Sequence, residues 1–219
     1  SDYVGKFSSK SRATINKKVR KFAEHTGGSI DWKAYKTPDE VMAFHRLARQ
    51  LSSRTYQEKL LDAGLPENDA FLRKMREMAA ASAVRAYLLF HDGKPVAYLY
   101  CPVVDGALIY EYLGYDPGYR EWSVGTVLQW LALEDLFNEN AFDYFDFTEG
   151  ESDHKRLFST HHVQCANVFF LKPTLRNRLI VHAQLAVNRF STGLGDFLER
   201  HGFKTRIKRL IRFGFARES

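Results

Sequence analysis

The chain is 219 residues long, carries a formal net charge of +6, and is 45% hydrophobic and 14% aromatic. That size fits one large domain, or a domain with a small appendage, around a ring-rich core. No run reaches the roughly 18–20 apolar residues of a membrane span, and no signal peptide opens the chain.

Residues 8–26 predict a basic helix, with serines at its start and Gly27-Gly28 at its end. Its apolar stripe is Ile15, Val19 and Phe22, and seven basic residues lie within 6–21. They form either a solvated face or a contact to the phosphates of a cofactor or carrier. Ser29–Tyr35 alternates like a strand. Thr37-Pro38-Asp39-Glu40 opens a helix to about Leu51, and a short helical piece within 52–68 precedes another helix over Asp69–Ala83. Val84–His91, Lys94–Val104 and Ala107–Tyr115 form a meander joined by the turns Asp92-Gly93 and Asp105-Gly106, so this part of the sheet is antiparallel. An amphipathic helix over Ser123–Asn138 and a strand over Phe142–Phe147 then make a crossover with a parallel neighbour. One or two helical turns follow at Asp153–Ser159, and a strand at Val163–Leu171. The remainder, Thr174–Ser219, reads as two amphipathic helices separated by Gly193 and Gly195.

Charge separates that remainder from the rest. Residues 1–172 hold 22 Lys+Arg and 23 Asp+Glu, whereas residues 173–219 hold 10 and 3. The tail therefore suits an anionic partner or is a solvated face. The piece 203–213, FKTRIKRLIRF, has the pattern of a membrane-surface helix, or packs on the domain. Cys101 and Cys165 lie in apolar runs without ligand spacing and read as buried thiols of a reducing, cytoplasmic protein. The abrupt start at Ser1-Asp2-Tyr3 fits a fragment of a longer protein.

Three stretches could carry chemistry. The loop Ser123-Val124-Gly125-Thr126 stands where a helix begins beside two strand ends. Amides at a helix start lack internal partners and, with the helix dipole, favour a pyrophosphate. Glu111 interrupts an aromatic strand, and Asp146 ends the strand after the helix. Glu111 is either a desolvated general base or a residue in a cross-strand ion pair or at an edge position, and Asp146 either faces a ligand or caps its loop. The acidic turn Glu149–Asp153 leads into His154, which could protonate a leaving thiolate, and Lys155, which could neutralise a phosphate or carboxylate; the alternative is a surface turn of mixed charge. His161-His162 lacks a further ligand at a suitable spacing, so no metal is expected. GxSxG, Walker A and GxGxxG patterns are absent.

Taken together, these motifs resemble the GNAT acyltransferases. More narrowly, they resemble the subfamily associated with cellulose and exopolysaccharide biosynthesis, related to the Fem-type aminoacyl transferases. The resemblance covers residues 8–160 and rests on Ser9-Lys10-Ser11-Arg12, the hairpin Leu88–Ala97, Gly114–Tyr119, Ser123–Leu128, and Phe145–Gly150 with His154-Lys155. Only Gly125 matches the family's usual phosphate-loop pattern; Val124 and His154 stand where the subfamily has Pro and Tyr. The resemblance implies an α/β (α+β) fold with a mostly antiparallel sheet splayed between strands 107–115 and 142–148, and helices on both faces. It implies a domain over 1–172 with a basic helical extension over 173–219, in members often longer at the N-terminus. The implied donor is acetyl-CoA or another acyl-CoA, held by Leu113, Gly114, Tyr115, Ser123, Val124, Gly125, Thr126 and Val127. Glu111, Asp146, His154 and Lys155 are the expected catalytic residues, and the acceptor is the amine of a small molecule or amino sugar. Alternatives are an aminoacyl-tRNA donor, or an inactive module whose basic tail binds an acyl carrier protein. Peripheral membrane contact is the least favoured partner.

Overall fold

The computed structural model describes residues 5–54, 64–166 and 168–200, with side chains to residue 193. The predicted piece within 52–68 and the helix 203–213 fall wholly or largely outside these residues. The chain divides into two compact units, 1–162 and 163–219.

The first unit is a six-stranded, mostly antiparallel sheet with helices on both faces. Its elements are α1 (Ser9–His25), β1 (Asp31–Tyr35), α2 (Pro38–Ser52), α3 (Asp69–Ala80), β2 (Val84–His91), β3 (Lys94–Val104), β4 (Ala107–Ile109), β5 (Tyr112–Tyr115), α4 (Val124–Glu139), β6 (Tyr144–Asp146) and α5 (Asp153–Phe158). A 3₁₀ turn, Pro117–Trp122, leads into α4. The strand order is β1-β2-β3-β4-β6, with β5 also paired to β3 and only β4–β6 parallel. Local chemistry explains most boundaries. Ser8 Oγ caps α1, Asn68 Oδ1 caps α3, and Thr37 with Glu40 forms a capping box on α2. Asp92, Gly93, Asp105 and Gly106 all have positive φ, as two-residue I′ hairpin turns require.

The period-2 pattern of β2 and β3 divides the core between the two faces. Tyr87, Leu89, Ala97, Leu99 and Cys101 pack with Phe22 of α1 and with Val124, Val127, Leu128 and Ala132 of α4. Val84, Ala86, Leu88, Tyr98 and Tyr100 pack with Phe44, Ala48, Leu51 and Met75 on the opposite face. Both faces are covered, so β2 and β3 are nearly continuously buried. A third cluster, Phe7, Ile15, Leu133, Phe147 and Phe158, joins α1, α4 and α5.

Four expectations change. The predicted strand 107–115 is broken at Tyr110 and Glu111 into β4 and β5. Helix α4 is not simply amphipathic: it buries Val124, Gly125, Val127, Leu128, Gln129, Ala132, Leu133 and Leu136, because it serves two clusters at once. The described residues of Val163–Leu171 form no strand, and Cys165 there is exposed, unlike the buried Cys101. In the second unit one helix, α6 (Leu175–Arg200), runs through Gly193 and Gly195 without a break. Glycine weakens a helix by about 1 kcal/mol without forbidding it.

Candidate active site

The break between β4 and β5 organises the site. Tyr110 donates its N–H to Asp146 O at 2.8 Å, so the chain is still paired to β6 there. At the next residue Glu111 donates to Tyr100 O at 3.3 Å, on the β3 side. Because Tyr112 also stands opposite Tyr100, two residues face one, which is a β-bulge. Beyond it β5 stays with β3 and parts from β6. Asp116 donates to Val96 O at 2.9 Å. The two-residue alternation of an antiparallel ladder then turns the N–H and C=O of Leu113 and Tyr115 away from β3, toward the opening.

The start of α4 faces the same edge. A Cβ on Gly125 would lie 3.6 Å from Tyr115 Cδ1 and 3.7 Å from Leu113 Cδ2. Ser123 takes a left-handed conformation (φ 53°), and its side chain does not cap the helix. Its carbonyl accepts from Thr126 N at 2.8 Å and Val127 N at 3.1 Å. Among the described residues nothing accepts from the Val124 or Gly125 N–H, as is usual for the first amides of a helix. Helix α1 adds charge there. Lys18 Nζ reaches Thr126 Oγ1 at 3.5 Å, and Lys21 Nζ contacts Glu121 O at 3.2 Å and lies 4.5 Å from the Trp122 ring centre. Burial lowers the Lys18 pKa. His25 stacks on Trp122 at 3.8 Å, which fixes the end of α1 against the turn.

The predicted site residues take distinct places. Leu113, Gly114 and Tyr115 form β5, and Ser123, Val124, Gly125, Thr126 and Val127 form the entry to α4. Gly114 is enclosed: a Cβ there would meet Tyr98 Cε1 at 2.4 Å. Glu111 stands exposed at the bulge, yet desolvation raises its pKa, opposed by the charge of Lys74. Asp146 Oδ1 accepts from Thr148 N at 2.7 Å, a local turn bond. Lys155 Nζ donates to Glu149 O at 2.5 Å and Thr148 O at 3.4 Å, and so ties down the loop after β6.

His154 is packed among rings, 5.0 Å from Phe158 and 6.0 Å from Tyr110, with Nε2 unpaired among the described residues. Burial, then Lys18 and Lys155, push its pKa down to about 4, so the ring is neutral at pH 7. A neutral imidazole is a weak proton donor, and the ring is better suited to accept a hydrogen bond. The unfolded ring takes up its proton near pH 6.5 and the folded one only near 4, so stability falls as pH drops across that window. His154→Phe is expected to flatten the urea midpoint between pH 6.5 and 4, and wild-type steepness in the variant would contradict this assignment.

Sequence reasoning missed three features. Phe71, Tyr100 and Tyr112 form an aromatic group beside Glu111, with ring centres 5.8–6.2 Å apart. Lys74 of α3 contributes charge there. Gln129 is fully buried on α4 with neither amide atom paired among the described residues. The apolar flanks of Glu111 were the available signal for the first two, and nothing in the local sequence marks Gln129.

The sheet thus splits at a bulge, and an uncapped helix start with Lys18 and Lys21 beside it stands at the same edge. A family model described as an acetyltransferase (GNAT) domain matches residues 9–156, and the chain belongs to that family. Solved structures with a similar fold include an aminoglycoside acetyltransferase from an uncultured soil metagenomic sample in complex with sisomicin. It has 12% identity and a TM-score of 0.48, over 68% of this chain and 99% of that one. Another is AAC(6')-Iy with the bisubstrate analogue CoA-S-monomethyl-acetylneamine, at 16% identity and a TM-score of 0.44, over 67% and 99%. A third is a ribosomal-protein-alanine N-acetyltransferase from Brucella melitensis biovar Abortus 2308, at 12% identity and a TM-score of 0.43, over 66% and 100%. Among curated proteins no sequence matches the chain. No described helix is long and apolar enough to cross a membrane, and the described residues hold no cluster of three metal ligands.

Proposed function

We propose that the protein transfers an acyl group, acetyl in the simplest case, from acyl-CoA to the amine of a small molecule or amino sugar. The observation that carries this reading is the outward-facing edge of β5 set against the open amides of Val124 and Gly125. The donor's pyrophosphate would sit on Ser123–Val127, with Lys18 and Lys21 beside it, and its pantetheine arm would run along Leu113–Tyr115. The acceptor amine would enter past Phe71 and Tyr112, whose rings and the nearby Glu111 suit a cationic group.

In this reading Glu111, with its raised pKa, takes a proton from the ammonium, directly or through water. The amine nitrogen attacks the thioester carbonyl, and a β5 amide near Leu113–Tyr115 holds the oxyanion. Collapse breaks the C–S bond, and the proton lost by the attacking nitrogen passes to the thiolate, directly or through water, so that the products are the amide and free CoA. Asp146 orients the amine through the oxygen not used by Thr148. His154 and Lys155 act at the donor end, His154 as a neutral partner rather than an imidazolium. A CoA donor places the reaction in the cytoplasm. The resemblance to the polysaccharide-linked subfamily supports an amino sugar as one such acceptor.

CoA and acetyl-CoA are expected to raise the thermal midpoint, and transfer RNA is not. A shift with transfer RNA alone would favour the aminoacyl-transfer alternative. Glu111→Gln is expected to lower amine-dependent thiol release roughly 10²–10⁴-fold at pH 7 while leaving the CoA-induced shift intact. Wild-type turnover in Glu111→Gln would remove that residue from the mechanism.

A further inference from the structure

The second unit carries an exposed apolar surface. On α6 the side chains of Leu175 (80% exposed), Leu179 (71%), Ile180 (54%), Val187 (61%) and Phe190 (72%) are all open. At 100° per residue they fall within an arc of about 140°, together with Ala183, Ala186 and one charged residue, Arg176, whose apolar stem can lie along the arc while its guanidinium reaches outward. Gln184, Asn177, Asn188 and Thr192 occupy the opposite side, and Arg178, Arg189 and His182 border the apolar arc. The less exposed Val181 and Leu185 lie on that opposite side, among the polar residues. Just before the helix, Val168, Phe169, Phe170 and Leu171 are also exposed, Phe170 at 95%.

Charge selects the occupant. Residues 172–193 contain Lys172, Arg176, Arg178 and Arg189 and no Asp or Glu. Two copies pairing through this face would bring like charges together. A nucleic acid would use the arginines but leaves a large apolar face unexplained. An anionic lipid surface satisfies both: the apolar arc enters the boundary between headgroups and acyl chains, and the bordering arginines reach lipid phosphates. We propose that the segment Val168–Phe190 docks on an anionic membrane surface, with α6 lying in its plane. No described helix spans a membrane, so the contact is peripheral.

The test is co-sedimentation of the full chain with vesicles of phosphatidylglycerol and phosphatidylcholine, or of phosphatidylcholine alone. Binding is expected to the mixed vesicles, to weaken with salt, and to be near background on phosphatidylcholine. Leu179→Glu/Phe190→Glu should abolish it. Arg178→Gln/Arg189→Gln, which keeps the apolar face, should weaken it roughly tenfold or more. Circular dichroism checks that each variant keeps its helix content. No binding to mixed vesicles, or equal binding by both double variants and wild type, would overturn the proposal. So would concentration-dependent dimerisation, in the absence of lipid, that Leu179→Glu/Phe190→Glu abolishes. The CoA-induced thermal shift belongs to the first unit and reads out separately from vesicle binding.

Discussion

Arg85→Ala is expected to destabilise the protein by about 3–5 kcal/mol, the cost of breaking a buried ion pair from one side. Arg85 is only 7% exposed, on the β2 face toward α4. Its guanidinium makes a forked contact with Glu139, donates to Val84 O at 2.7 Å and Ser82 O at 3.0 Å, and lies 4.9 Å from the Phe142 ring centre. Removing it leaves Glu139 with Lys36 at 2.8 Å and strips two carbonyls of a donor. Arg85 and Lys36 hold the Glu139 pKa down to about 2 from an ordinary 4.5. The stabilisation is therefore complete above pH 4.5 and is lost as pH falls toward 2. Urea titrations should show the gap between wild type and Arg85→Ala wide at pH 7 and narrowing below pH 4.5. A second comparison separates charge from packing. Arg85→Met/Glu139→Leu should recover much of the loss, because a well-packed apolar pair can match a buried ion pair. A loss under about 1 kcal/mol at pH 7 for Arg85→Ala would mean that the pair is solvent-screened.

Gly114→Ala is the second large effect, and it reaches the site. The new Cβ would stand 2.4 Å from Tyr98 Cε1, 2.7 Å from Cζ and 2.8 Å from the hydroxyl oxygen. That ring has nowhere to go. Tyr98 is 2% exposed, its hydroxyl donates to Ser52 Oγ at 3.2 Å, and Ser52 Oγ accepts from Leu65 N at 2.9 Å. Either the ring leaves its hydrogen bond or β5 moves off β3. Overpacking of this kind costs about 1–3 kcal/mol. In the proposed mechanism, a shift of β5 would also carry the Leu113 and Tyr115 amides out of position and slow acyl transfer. Gly125→Ala is the contrasting case. Its Cβ meets only ordinary contacts at 3.6–3.7 Å, and alanine favours a helix. Stability should hold or rise, while the KM for acetyl-CoA increases because the methyl group crowds the proposed phosphate seat. Equal thermal midpoints for Gly114→Ala and wild type would show that Tyr98 yields easily.

Much of the architecture was legible because the signals were local. The two Asp-Gly turns, the capping box at Thr37–Glu40 and the alternation in β2 and β3 each depend on neighbouring residues. The break at Tyr110–Glu111 was not legible in this way. It arises because the amides of those two residues are claimed by different partners, Asp146 and Tyr100, which the chain reaches only when folded. Glu111 was conspicuous among aromatic neighbours, but the group beside it, Phe71 and Lys74, comes from a helix about 40 residues earlier. His154 looked like a ready proton donor until packing against Phe158 and Tyr110, with Lys18 and Lys155 nearby, made it neutral. Residues 163–171 show the limit of alternation as a signal. The stretch is apolar enough for a strand, yet a strand requires a paired edge, and its described residues have none.

The amino-acid sequence by itself determined the hairpin turns, the helix caps, the two-residue alternation of the central strands and the basic first helix, because each is written in spacing and turn chemistry. Tertiary structure alone decided where the sheet opens, which amides face the opening, which carboxylate is desolvated and which is spent on a turn, and whether a histidine carries charge. Those properties depend on what lies across the fold from each residue, and distance along the chain does not encode it.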